Sequence, residues 1–101
     1  MLRKSFKVEC TLWGEDFVGV LPQLSEWLTK CRIVPHTGDT VPLPSAVRAT
    51  RPKQGGTNGH DAEIVRQQVD ENTGVVTSVY YLPTRDMVKV GVKESRRANG
   101  R

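Results

Sequence analysis

The chain has 101 residues, 15 Lys/Arg against 11 Asp/Glu and two cysteines, which suits one small basic domain and excludes a disulfide framework. Its apolar content of 37% leaves sizeable segments outside any core. No apolar run approaches the roughly 18 residues of a membrane span. MLRKSFKVEC alternates where a signal peptide would run apolar, so a cytoplasmic, intracellular location is expected.

Residues 5–13, SFKVECTLW, alternate: Phe6, Val8, Cys10 and Leu12 share one face, and Ser5, Lys7, Glu9 and Thr11 the other. Period two over this length predicts a half-buried strand, with Trp13 on the polar face at its end. In 14–34, Phe17, Val20, Leu21, Leu24, Trp27, Leu28 and Cys31 recur at spacings of three and four, the stripe of an amphipathic helix. Asp16 is a candidate cap. Pro22 means that the helix either begins near Leu21 or bends at the proline. Both cysteines fall on apolar faces and read as core thiols.

Periodicity is lost from 35 to 60, where Pro35, Pro42, Pro44 and Pro52 are joined by Gly55, Gly56 and Gly59. This predicts a long flexible loop, with Val41–Pro44 packing back as an extended piece. The loop is basic through Arg48, Arg51 and Lys53.

The last third reads as a meander. A strand is expected over 63–69, with helix competing over 61–71 because Ile64, Val65, Gln68 and Val69 also fit one helical face. VDENTGVV predicts a hairpin, Gly74 supplying a positive φ. Residues 75–82 form the next strand, and Pro83 opens a turn. Met87–Lys93 alternates, with Val88, Val90 and Val92 inward and Lys89 and Lys93 outward, and reads as an exposed edge. A basic tail follows at about 94–101. The expectation is a single small α+β domain, β-α-(long loop)-β-β-β, one helix packed on an antiparallel sheet.

The placement of charge suggests the partner. Arg3 and Lys4 crowd the start, Arg48, Arg51 and Lys53 the middle, and Arg96 and Arg97 the end. Clustered cations point to nucleic acid, DNA or RNA, held through its phosphates. The bland counterpart is that charged termini keep a small protein in solution. Tyr80 and Tyr81 are adjacent in a strand and face opposite ways, so one lies away from the helix and is placed to stack on an unpaired base, with Trp13 as a companion. Strand tyrosines are equally good packing residues. No recognition helix with a basic face is evident, which argues against sequence-specific readout.

Other chemistries have less to rest on. His36 and His60, near Asp39 and Asp61, suggest a small nuclease by general acid–base work, but nothing fixes their separation. Cys10, Cys31, His36 and His60 lack metal-ligand spacing. GGTNG lacks the GK[ST] ending of a phosphate loop, and no cofactor is implied. The remaining alternative is a protein-interaction or structural subunit of an assembly, using exposed strand edges. Edge pairing would also make a homodimer that binds nucleic acid.

Overall fold

The computed structural model describes residues 6–53 and 62–98. Along the chain run β1 (Lys7–Trp13), β2 (Val18–Val20), α1 (Pro22–Cys31), β3 (Thr40–Pro42), β4 (Ala46–Pro52), β5 (Ala62–Gln68), β6 (Thr73–Leu82), a 3₁₀ turn (Pro83–Arg85), β7 (Met87–Glu94) and a single helical turn, α2 (Ser95–Ala98). The strands form one seven-stranded mixed sheet in the order β3-β6-β7-β1-β2-β4-β5. β1 and β7 run parallel, and every other neighbouring pair is antiparallel. One helix with a mostly sheet body agrees with the α+β expectation. The antiparallel β-α-loop-β-β-β order does not hold, because β2, β3 and β4 are additional strands.

The helix begins at Pro22, the first of the two alternatives, with the ring in the first turn where its missing N–H costs nothing. Leu21 occupies the N-cap position and no side chain caps it, so Asp16 does not serve there. Arg32 ends the helix in the left-handed region at φ 54°, its N–H reaching the carbonyls of Leu28 and Thr29. Val18–Val20 pairs with β1 as a strand, so the apolar stripe divides between two elements.

α1 runs along the edge of β1 where β2 has turned away. The Val8 N–H donates to Thr29 Oγ1 at 2.9 Å and the Cys10 N–H to Ser25 Oγ at 2.8 Å. The Leu21 N–H donates to the Cys10 carbonyl. Hydroxyls four residues apart on one helix thus stand in for a neighbouring strand. Leu28 is buried beneath them, whereas Trp27 is 55% exposed and Cys31 is exposed, against the expectation for both.

The segment expected as a loop holds two strands. Val41 and Leu43 are buried, so the 41–44 piece does pack back on the body. β4 pairs with β5 over seven rungs, from Ala46 opposite Gln68 to Pro52 opposite Ala62. That settles 62–68 as strand. It also removes the hairpin read into VDENTGVV, since β5 and β6 lie far apart in the sheet. Gly74 is a strand residue within β6, and Gly38 is the glycine of positive φ among the described residues. A Cβ at Gly74 would fall 2.6 Å from a Val92 methyl and 3.1 Å from Leu43 Cδ1, so the glycine admits Leu43 against the sheet. The turn itself is held by Glu94, a buried carboxylate whose Oε1 accepts the Asp70 and Glu71 N–H groups at 2.8 and 2.9 Å.

This topology curls the sheet. In a flat sheet β5 and β6 would lie five strand spacings apart, about 24 Å. Gln68 to Thr73 reaches roughly 18 Å fully extended. The connections after β3 and β5 are tied together by Leu43 N–H to the Asn72 carbonyl and Val69 N–H to the Ser45 carbonyl. The enclosed side buries Val8, Cys10 and Leu12 of β1, Val88, Val90 and Val92 of β7, Val76 of β6, and Val47 and Ala49 of β4. Each fully buried Val or Leu contributes about 1.5–3 kcal/mol. β7 lies between β6 and β1, so Met87–Lys93 is internal and the sheet edges are β3 and β5. Among the described residues no helix is long and apolar enough to cross a membrane.

Candidate nucleic-acid interface

The other side of the sheet carries exposed residues, and strand register fixes what stands on it. Tyr80 lies opposite Lys89, Ser78 opposite Gly91, and Val75 opposite Lys93. Lys89 stands beside Glu9, Gly91 beside Thr11, and Met87 beside Lys7. Trp13 pairs with Val18, which pairs with Thr50 and so leads to Ile64. Arg48 lies opposite Arg66. Tyr80 and Ile64 are each 64% exposed, and Trp13 47%.

Two local devices arrange the aromatics. A bulge in β6 shifts the register between Val76 and Ser78. Without it Tyr80 would share the face of Gly74 and Val76. With it Tyr80 stands on the open face, and Tyr81 moves to the rim of the enclosed side, where it too is exposed. The second device is Gly91. A Cβ there would collide with the Ser78 hydroxyl and lie 3.3 Å from Trp13 Nε1, so the pyrrole edge of the indole rests where a side chain would otherwise stand. The indole and Tyr80 are then one strand across and one two-residue step along, about 8 Å apart by sheet spacing.

The electrostatics of the two sides differ. Lys7, Lys89, Lys93, Arg48 and Arg66 stand on the open strands with Glu9 as their one carboxylate among the described residues. Glu9 is shared at the limit of ion pairing, 4.0 Å from Lys7 and 3.9 Å from Lys89. Arg51 faces the enclosed side, and its Nε donates to Glu63 Oε2 at 3.0 Å. The register of β4 sets Arg51 and Arg48 on opposite faces, so these two expected contacts do not stand together.

Of the other expected contacts, Lys53 is exposed just beyond β4, and Arg96 is exposed on α2. Arg97 lies in α2. Arg3, Lys4 and His60 lie outside the described residues. His36 is exposed, its backbone N–H donating to Asp39 Oδ2 at 2.8 Å while the ring Nδ1 sits 3.9 Å from the same oxygen. Arg66 and Lys89 were not among the expected contacts. The alternation of AEIVRQQ placed Arg66 on a strand face, but only pairing with β4 brings it to Arg48.

Two hollows flank this surface. At one end a pocket of 540 Å³ has Trp13, Gly14, Asp70, Glu71, Lys93 and Arg96 in its lining. Beside α1 a groove of 870 Å³ is lined chiefly by Val20, Leu24, Trp27, Pro42, Leu43 and Pro44. Among the described residues no cluster of His, Cys, Asp or Glu is placed to hold a metal ion. Burial pushes the Cys10 thiol above its ordinary pKa, partly offset by the Ser25 hydroxyl. Compared with protein-family models, curated proteins and solved structures, the chain matches none.

Proposed function

We propose that this protein binds single-stranded DNA or RNA along its open sheet face. Bases stack on Trp13 and Tyr80, and phosphates lie against Lys89, Lys93, Arg48 and Arg66. Lys53 and Arg96, both exposed, extend the basic surface. One observation carries this reading: exposed aromatics and most of the sheet's cations share a face that, among the described residues, no helix covers. Aromatic stacking suits unpaired bases of any sequence, and a duplex keeps its bases inside. The binder acts in the cytoplasm as a homodimer formed by pairing β5 edges, measurable by sedimentation.

Electrophoretic titration at several salt concentrations tests the reading. Neutralising five phosphates gives a log–log slope of about −3.5 on single strands. Duplex of equal length should bind more weakly. No binding at low salt, or a response flat in salt, returns the chain to the protein-interaction alternative.

A further inference from the structure

β2 leaves a place in the sheet unfilled. It pairs with β4 at Thr50 and Ala49 and ends at Val20, where the chain turns away into α1. Among the described residues no strand takes up its line beside Val47 and Ala46. The groove of 870 Å³ lies at this gap and is lined from both sides of the sheet. Val20 and Arg48 belong to the open side, Leu43 and Val47 to the enclosed one, and α1 supplies Leu24 and Trp27. Trp27 and Val20 are 55% and 49% exposed although they line an apolar hollow.

The hydrogen-bond pattern of β4 says what fits the gap. The Val69 N–H donates to the Ser45 carbonyl, and Ala46 lies opposite Gln68. Bonding to β5 therefore falls to Ser45, Val47 and Ala49, and the N–H and C=O of Ala46 point the other way, into the groove. An alkyl ligand would strip water from these groups and leave them unpaired. An extended main chain would pair with them, as a strand added to an open sheet edge does. Charge sets the side chains of that strand. The described lining contains one charged residue, Arg48, and no carboxylate, and Arg66 stands opposite that arginine.

We propose that this gap is a docking site for an extended segment of a partner protein with the pattern apolar–Glu–apolar. The segment takes the line that β2 vacates, antiparallel to β4. Its Glu lies opposite Ala46, exchanges main-chain hydrogen bonds with it, and reaches diagonally to Arg48 on the same face. The two apolar residues fall opposite Val47 and Ser45 and point to the enclosed side, where Leu21, Leu43 and Val47 form an apolar floor. The site stands independently of the single-strand reading and shares Arg48 with it.

The test is fluorescence anisotropy of a fluorescein-labelled Ser-Leu-Glu-Leu-Ser amide titrated with the full chain. Binding should be saturable. N-methylation of the Glu nitrogen removes the donor to the Ala46 carbonyl and should weaken binding about tenfold, the effect of leaving a covered acceptor unpaired. Replacing the peptide's Glu by Lys sets like charges side by side and should weaken binding about fivefold. Arg48→Ala, at an exposed position, should abolish the preference for Glu over Lys and keep the effect of N-methylation. No binding, or equal binding of the plain and N-methylated peptides, overturns the strand addition. A Glu preference that survives in Arg48→Ala overturns the assigned register, and the proposal with it. Sedimentation in which the peptide dissociates a dimer means that a second copy fills the gap, and also overturns it.

Discussion

β1 shows both sides of the sheet in one strand. Val8, Cys10 and Leu12 are buried on the enclosed side, while Lys7 and Trp13 on the open side remain exposed. The β4–β5 hairpin repeats the contrast with charge. On the enclosed side Arg51 is answered by Glu63, and three residues earlier on the open side Arg48 meets Arg66. Like charges directly opposite across a strand pair destabilise it, whereas opposite charges contribute roughly 0.2–1 kcal/mol. The enclosed side is therefore arranged for folding, and the open side retains an electrostatic cost that a bound anion would relieve.

The largest effect should come from the enclosed side. Leu12→Ala removes a fully buried side chain and should lower unfolding free energy by about 2–5 kcal/mol in chemical denaturation. Oligonucleotide affinity per folded molecule should not change. The converse is Trp13→Ala or Tyr80→Ala, each weakening single-strand binding by roughly 1–3 kcal/mol in fluorescence or calorimetric titration. Tyr81→Ala, one residue away on the other side, should leave affinity unchanged. Equal losses at Tyr80 and Tyr81 would break the distinction between the faces.

Charge substitutions sharpen the comparison further. Arg48→Ala with Arg66→Ala should flatten the salt slope on single strands by about 1.4, some 0.7 for each phosphate released. Thermal stability should hold or rise slightly, since a like-charge pair is lost. The thiols report the same division of inside from outside. Cys31 should react with a thiol reagent in the native protein, and Cys10 only on unfolding. Burial holds the Cys10 pKa above its ordinary 9.0 in the folded state. Its contribution to stability is therefore complete below about pH 9 and declines as pH rises toward the folded value. Native-state labelling of both thiols would contradict this placement.

Much of the secondary structure was legible locally, and little of the pairing was. The alternation of Phe6–Trp13 and Met87–Lys93 marked two strands because each buries one face. The stripe from Phe17 to Cys31 misled because Val18–Val20 belongs to a strand, and because Ser25 and Thr29 dock the helix by hydroxyls rather than by Trp27. VDENTGVV has hairpin chemistry, yet its turn is stabilised by Glu94, more than 20 residues away in sequence. That Arg48 and Arg51 take opposite faces was not legible, because their register against β5 is a nonlocal fact. The aromatic face was half legible: adjacency showed that Tyr80 and Tyr81 diverge, but a bulge decides which joins Trp13.

The smallest expected effect is also the most discriminating. Arg51 and Glu63 are each about one-third exposed, 37% and 33%, so their ion pair is screened by water and contributes about 0.2–1 kcal/mol. Arg51→Ala should lower stability by no more than that, and the loss should shrink in high salt. Because Arg51 faces the enclosed side, the single-strand salt slope should stay at its native value, in contrast to the change produced at Arg48. A slope reduced equally by Arg48→Ala and Arg51→Ala would mean that the nucleic acid surrounds the hairpin instead of lying on one face. The comparison between the two sides would then fail where their chemistry lies closest together.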